Sequence, residues 1–309
     1  AVPHIVDDGC LAAGENPAGD ALVDQHSLSL QGFSSPPIGQ GKDQIIKTYY
    51  VDRGLLVSGA AGGESWNPLV SGRTYFELVP FYRWQQLDSD KRKVDLKTNG
   101  IEFSLFRDNR DFFPNPSTGS GLRLQLTRDF GWFDSSDSWT VLQTEFDKYF
   151  SLDSSDWFRQ RVIALNFWTA HTPTWEEKEN GEIASRPPPF AGATLGGPWR
   201  LRAYPSQRFS DKAAIYYAAE YRAIPKWNPF ENWSWLQKHL GVQWLQFVPF
   251  AEVGRVAPHW TVKRLHSDMK WDVGVGLRAF LKGLVVRIDT AVSEEDVGVQ
   301  MMVSQPFQF

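Results

Sequence analysis

The stretch DVGVQMMVSQPFQF, residues 296–309, has two faces. From Val297 the odd positions are Val297, Val299, Met301, Val303, Gln305, Phe307 and Phe309. The even positions are Gly298, Gln300, Met302, Ser304, Pro306 and Gln308. A period of two places apolar side chains on one side of a β-strand and small or polar ones on the other. The question is what the oily side touches.

The same alternation recurs upstream. Trp271, Val273, Val275, Leu277 and Ala279 oppose Asp272, Gly274, Gly276 and Arg278, and Leu284, Val286, Ile288 and Val292 oppose Arg287, Asp289, Ala291 and Ser293. Ile215, Tyr217, Ala219 and Tyr221 oppose Glu220 and Arg222. Leu122, Leu124 and Leu126 oppose Arg123, Gln125 and Thr127, and Ile101, Phe103 and Leu105 oppose Glu102, Ser104 and Asp108. Less regular segments at 73–87, 137–150, 157–170 and 242–257 fit strands of membrane-crossing length. The turn DRG divides IIKTYYVDRGLLVSGAAG, residues 45–62, into two further strands, the first of them over 44–51. The total is about twelve strands, an even number that returns both termini to one side of a membrane. Residues 1–42, with GENPAGD and SSPPIGQG, read as an irregular segment before a barrel over 43–309.

Composition excludes several classes of function. A net charge of −4 and a pI near 5.9 supply no basic field for nucleic acid. Cys10, the single cysteine, excludes an intrachain disulfide and a cysteine-based metal cluster, and VDDGC lacks the apolar residues of a lipoprotein signal. No apolar run approaches the roughly 20 residues of a spanning helix, and AVPHIVDD suits an end left by signal removal. The six histidines lie in tails and connections, with no Ser and acid at a triad spacing. EEKE at 176–179 reads as a solvated loop, and LGGP precedes neither a helix nor a Lys-Ser pair. No catalytic residue, metal ligand or cofactor is expected.

Alternation alone fits a soluble sandwich and a closed transmembrane barrel equally. The tryptophans favour the barrel. Trp132 and Trp139 flank FDSSDS, Trp157 follows SLDSSD, Trp227, Trp233 and Trp235 crowd one connection, and Trp260 and Trp271 bracket another. Indoles at strand ends are expected of interfacial girdles. The fold expected is therefore all-β, a closed antiparallel barrel with lipid on its oily face. Glu102, Asp108, Arg123, Asp129, Glu145, Glu220, Arg222, Glu252, Arg278, Arg287 and Asp289 would line the lumen, with mixed signs that suit ion pairs bracing the wall.

Six segments in order also carry a resemblance. They are FRDNRDFFPNPSTGSGLRLQLTRDFG (106–131), LGGPWRLRAYPSQRF (195–209), AEYRAIP (219–225), PFAEVGRV (249–256), VGVGLRAFLKGLVVRIDTA (273–291) and the terminal QPFQF. Together they resemble the bacterial surface antigen superfamily, which holds the outer-membrane barrel-assembly factors of BamA type, their organellar relatives and the two-partner secretion transporters. The resemblance implies an integral outer-membrane barrel, with both termini periplasmic, that assembles or translocates proteins. Client outer-membrane proteins and periplasmic or lipoprotein partners are implied with it. Only about forty residues precede the first expected strand, too few for a periplasmic polypeptide-transport-associated (POTRA) domain, so a reduced member without that arm is expected. The alternative is a passive channel or an anchoring barrel.

The connection over 171–211 is long for an ordinary loop. In WRLRAY, residues Leu201, Arg202, Ala203 and Tyr204 match a family signature of an aliphatic residue, Arg, Gly and an aromatic. The resemblance implies that this loop enters the lumen and sets Arg202 against an acid on the wall, here Glu252. Ala203 stands where the family has Gly. Val303, Phe307 and Phe309 match the terminal aromatic signal for barrel insertion.

Overall fold

In a computed structural model, the structure describes residues 23–29, 50–52, 54–59 and 72–303, apart from 90–91, 154, 180–182, 229, 231–232, 234–237 and 282–283. The first strands in chain order are β1 (Val23–Ser29), β2 (Tyr50–Asp52) and β3 (Leu55–Ser58). Five long ones follow, β4 (Arg73–Ser89), β5 (Arg92–Asp108), β6 (Gly119–Asp129), β7 (Trp139–Leu152) and β8 (Phe158–His171). The long connection holds β9 (Glu176–Glu177), β10 (Ile183–Ala184), a short 3-10 turn (Pro189–Ala191), β11 (Ala193–Leu195) and β12 (Phe209–Asp211). The last strands are β13 (Ala213–Pro225), β14 (Val242–Ala257), β15 (Lys270–Leu281), β16 (Leu284–Ser293) and β17 (Val297–Val303), with a one-turn helix α1 (Val262–Leu265) before β15.

Eleven strands form one antiparallel sheet in the order β1-β4-β5-β6-β7-β8-β13-β14-β15-β16-β17. The loop fixes its curvature. The Arg202 carbonyl lies where a Cβ on Gly298 of β17 would be, and two residues away Arg200 reaches Glu145 on β7. On a flat sheet β7 and β17 stand six spacings apart, about 29 Å at roughly 4.8 Å each. Two residues span only about 7 Å, so the sheet curls around the loop.

The two faces are inverted relative to a soluble protein. Leu124, Leu126, Phe146, Leu165, Phe247, Val275 and Ile288 point outward and are exposed, and Val297, Val299, Met301 and Val303 of the tail are each at least 60% exposed. The concave face buries Asp108, Asp129, Glu220, Arg222, Glu252, Arg278, Arg287 and Asp289. Glu102, Arg123 and Glu145 share that side, half-buried. A contiguous apolar exterior of this size would drive association in water and suits hydrocarbon. Among the described residues no helix is long and apolar enough to cross a membrane.

Several expectations need correction. The hairpin expected over 45–62 does not join the wall: β2 and β3 pair only with each other. Leu55 packs on Ile224, Trp244, Phe280 and Val285, and the Trp244 indole donates to the Gly54 carbonyl at 3.2 Å. The first strand of the wall is instead β1, inside the segment expected to be irregular, and it pairs with β4 from Val23 opposite Leu87 to Ser29 opposite Phe81. The rest of 1–42 lies outside the described residues, as do 44–49. Eleven strands rather than about twelve leave β1 and β17 as edges that do not pair with each other among the described residues. An odd count also sets the start of β1 and the end of β17 at opposite ends of the sheet. Trp139 is not at an interface: it is 1% exposed and packs against Phe81 with ring centroids 6.3 Å apart. Its position on β7 has the parity of the inner face. Trp132, Trp157, Trp227, Trp233, Trp260 and Trp271 are exposed, and Trp235 lies outside the described residues.

Candidate functional site

The site is the contact between the long loop and the inner wall. β11 and β12 pair at the loop's base, and between them Gly196 and Gly197 take φ of +106° and +102°. These values favour glycine, and a Cβ on Gly196 would meet the Pro205 carbonyl oxygen. The resulting arch is closed by Gly196 N–H to Arg200 O and Gly197 N–H to Tyr204 O, both 2.9 Å. Its apex is the motif over 201–204. The left-handed residue there is Leu201, with φ of +58°, rather than Ala203.

Arg202 is 1% exposed and is the centre of the site. Its Nε donates to Glu252 Oε1 at 2.9 Å and its backbone N–H to Glu252 Oε2 at 2.8 Å. One terminal nitrogen reaches Asp289 Oδ2 at 2.7 Å, the other Glu220 Oε1 at 3.0 Å, and the guanidinium lies 3.5 Å from the Phe250 ring centroid. The planar fork thus meets three carboxylates from β13, β14 and β16, a recognition that a lysine point charge does not reproduce.

The surrounding residues extend the network. Arg222 and Arg278 both donate to Glu220, at 2.9 and 2.8 Å, and Arg287 donates to Asp289 at 2.8 Å. The Tyr216 hydroxyl donates to Glu252 at 2.6 Å, and Asp272 accepts the Ala203 N–H at 2.9 Å. Four buried arginines therefore pair with three buried carboxylates, Glu220, Glu252 and Asp289. Buried charges persist when paired and hydrogen-bonded in this way.

Leu201, Ala203 and Tyr204 anchor the apex in apolar contact with Trp168, Tyr216 and Phe250. The Tyr204 hydroxyl donates to the Trp271 carbonyl at 3.2 Å. Arg200 lies over Trp168 at 4.0 Å and pairs with Glu145 at 3.2 Å, and at the rim Arg208 pairs with Glu295 at 3.3 Å. Of the expected site residues, Val303 is exposed on the outer face at the end of β17, far from the loop in sequence, while Phe307 and Phe309 lie outside the described residues. Sequence reasoning placed Glu220 and Asp289 on the inner face without joining them to Arg202, and did not single out Asp272 or Tyr216. Only the register between strands joins them.

A second plug lies at the other end of the sheet. The connection over 109–118 is held by Arg110, whose guanidinium pairs with Asp108 at 2.9 Å, and by Asp111, which accepts from Ser117 N–H at 2.9 Å. Burial alone would lower the Arg110 pKa, but the Asp108 carboxylate raises it above the usual arginine value. Asn115 donates to Gln160 on β8 at 2.7 Å and accepts from Gln246 on β14 at 3.1 Å. With the β2–β3 hairpin on Trp244, this connection fills the end that the long loop leaves.

Such a wall of alternating strands, oily outside, charged inside and plugged by loops, defines an all-β fold of outer-membrane barrel type. Comparison with solved structures gives the crystal structure of BamA from Haemophilus ducreyi lacking POTRA domains 1–3, with a TM-score of 0.50 and 12% sequence identity. The match covers 91% of this chain and 61% of that one. No protein-family model and no curated protein sequence matches the chain. The likeness is one of fold, and it extends over nearly the whole chain.

Proposed function

We propose that this chain forms an integral outer-membrane β-barrel of the assembly and translocation type, a relative of the bacterial surface antigen superfamily. It would close by contact between β1 and β17 and act without cofactor or covalent chemistry. The observation that carries this reading is the occupied lumen. A passive channel needs an open path, whereas here Arg202 and its carboxylates fill one end and Asn115 with the β2–β3 hairpin fills the other.

The working element would be the seam. β1 and β17 have seven residues each, against ten to seventeen for the other strands of the large sheet, and β17 has β16 as its one sheet neighbour among the described residues. A short seam has few ladder bonds, and an opened strand edge is a template for an incoming strand of a client barrel protein. β17 also rests on the loop, because Gly298 packs on Arg202 and Ala203, and Gln300 donates to the Arg202 carbonyl at 3.4 Å. Loop docking and seam closure are thereby coupled. Val303, Phe307 and Phe309 would serve as the chain's own insertion signal, and client outer-membrane proteins would meet the barrel together with periplasmic or lipoprotein partners.

Depletion of the protein tests the reading. A fall in the amounts of other outer-membrane proteins is expected. Unchanged amounts, together with large steady conductance of the purified protein in planar bilayers, would assign it to passive channels.

A further inference from the structure

We propose that the outer face carries a binding trough for one anionic phospholipid, with the phosphate at Lys148 and an acyl chain laid over Ala219 and Ala251. The inference rests on the membrane reading above and goes beyond it, because it concerns a face that the loop and seam do not use.

Strand register builds the trough. Lys148, Leu165, Ala219, Ala251 and Val273 are successive partners across β7, β8, β13, β14 and β15. The adjacent row, Phe146, Phe167, Tyr217, Val253 and Trp271, is bulkier throughout. Two alanines in register therefore leave a depression beside a ridge, on which the Phe167 and Tyr217 rings lie 5.3 Å apart. The depression has a volume of about 790 Å³ and its surface is almost wholly apolar, with Lys148 among the residues that line it. That volume falls within the roughly 300–1,000 Å³ of small-molecule sites. Its floor crosses four strand spacings, about 19 Å at roughly 4.8 Å each. One leaflet of a hydrocarbon core about 30 Å thick holds a chain of similar reach.

Charge fixes the headgroup. Lys148 stands between Phe146 and Phe150, both exposed on the outer face, and its ammonium lies 5.6 Å from the Phe150 ring centroid. Among the described residues it forms no ion pair. A cation turned toward hydrocarbon without an anion is unfavourable, and lysine relieves this by carrying its ammonium along its stem to an interfacial phosphate. An anionic headgroup is favoured over a zwitterionic one because it brings no cation of its own.

The test uses the full chain purified in detergent and titrated with phosphatidylglycerol or phosphatidylcholine of equal chain length, with bound lipid counted by native mass spectrometry. Wild type should hold one phosphatidylglycerol about fivefold more tightly than phosphatidylcholine, the ratio that one lysine near a phosphate supplies. Lys148→Gln should erase that preference, and Ala219→Leu with Ala251→Leu should weaken both lipids alike. Circular dichroism of each variant verifies that the strand content is kept. Binding of phosphatidylglycerol by both variants as in wild type would overturn the trough. Flotation of the same samples with liposomes tests the membrane reading separately, since a protein that inserts but lacks the preference refutes only the lipid site.

Discussion

The two plugs cover opposite ends of the same concave face by different physics. The long loop is held to the far wall by charge, with Arg202 in contact with Glu252, Glu220 and Asp289, whereas the opposite plug, braced locally by the Arg110–Asp108 pair, reaches the far wall through neutral amides on Asn115 and through the Trp244 indole on Gly54. A buried charge node is costly to break, because removing Arg202 leaves the buried Glu252 without a cation, although Glu220 keeps Arg222 and Arg278 and Asp289 keeps Arg287. Amide bridges fail by smaller steps, each losing one hydrogen bond. Docking of the long loop should therefore respond strongly to a single substitution, and that of the 109–118 connection in smaller steps.

The largest effect should come from Arg202→Ala. Three carboxylates would then share the site without the loop's cation, a loss of about 3 to 5 kcal/mol, and protease access over 171–211 in reconstituted protein should rise sharply. Arg202→Lys should rescue little, since one ammonium cannot meet three carboxylates. Glu252→Gln should be milder, about 1.5 to 3 kcal/mol, because Arg202 keeps Glu220 and Asp289. The double variant should be no worse than Arg202→Ala, having one fewer unpaired charge. Additive effects would show that loop and wall do not interact.

Gly298→Val probes the same docking from the tail. A Cβ there would lie 2.2 Å from the Arg202 carbonyl oxygen and 2.9 Å from the Ala203 Cα, so either the loop or β17 must move. Loop access should rise with Arg202 intact, whereas unchanged access would separate the loop from the seam. At the opposite plug, Asn115→Leu should cost about 1 to 3 kcal/mol and leave access at 171–211 unchanged. It should also leave conductance low, as should Arg202→Ala alone, because each variant spares one plug.

The smallest effect concerns pH. A hydrogen bond from Lys270 holds the exposed Glu295 carboxyl below its usual value, and Arg208 at the loop base pairs with the same side chain. The folded pKa is depressed, so this contribution is present above the unfolded value of about 4.3 and is lost as pH falls through the lower folded value. Access at the loop base should rise slightly only in that acidic range, and Glu295→Gln should remove the dependence.

Much of this was legible in the sequence, for a physical reason. A strand between lipid and a charged lumen must alternate, so the inner residues from Asp108 to Asp289 and the oily tail could be sorted by period alone. The loop was marked by its length. Alternation does not say which strands neighbour one another, however, so the meeting of Arg202 with Glu220 and Asp289 was hidden, and so was Ala219 beside Ala251. The same blindness misplaced the start of the wall. IIKTYYV and LLV have a strand pattern, but LLV lies in a hairpin that packs on the concave face beside Trp244. VDQHSLS, the true edge at 23–29, is too polar to show an oily face.

Thiol labelling tests the docked loop most directly. In a Cys10→Ser background, Ala203→Cys and Phe133→Cys are compared in reconstituted protein; Ala203 is 1% exposed and Phe133 95%, and both lie in connections at the same end of the sheet. A docked loop predicts that position 203 reacts far more slowly than 133 and that adding Arg202→Ala removes the difference. Equal rates with Arg202 in place would contradict it.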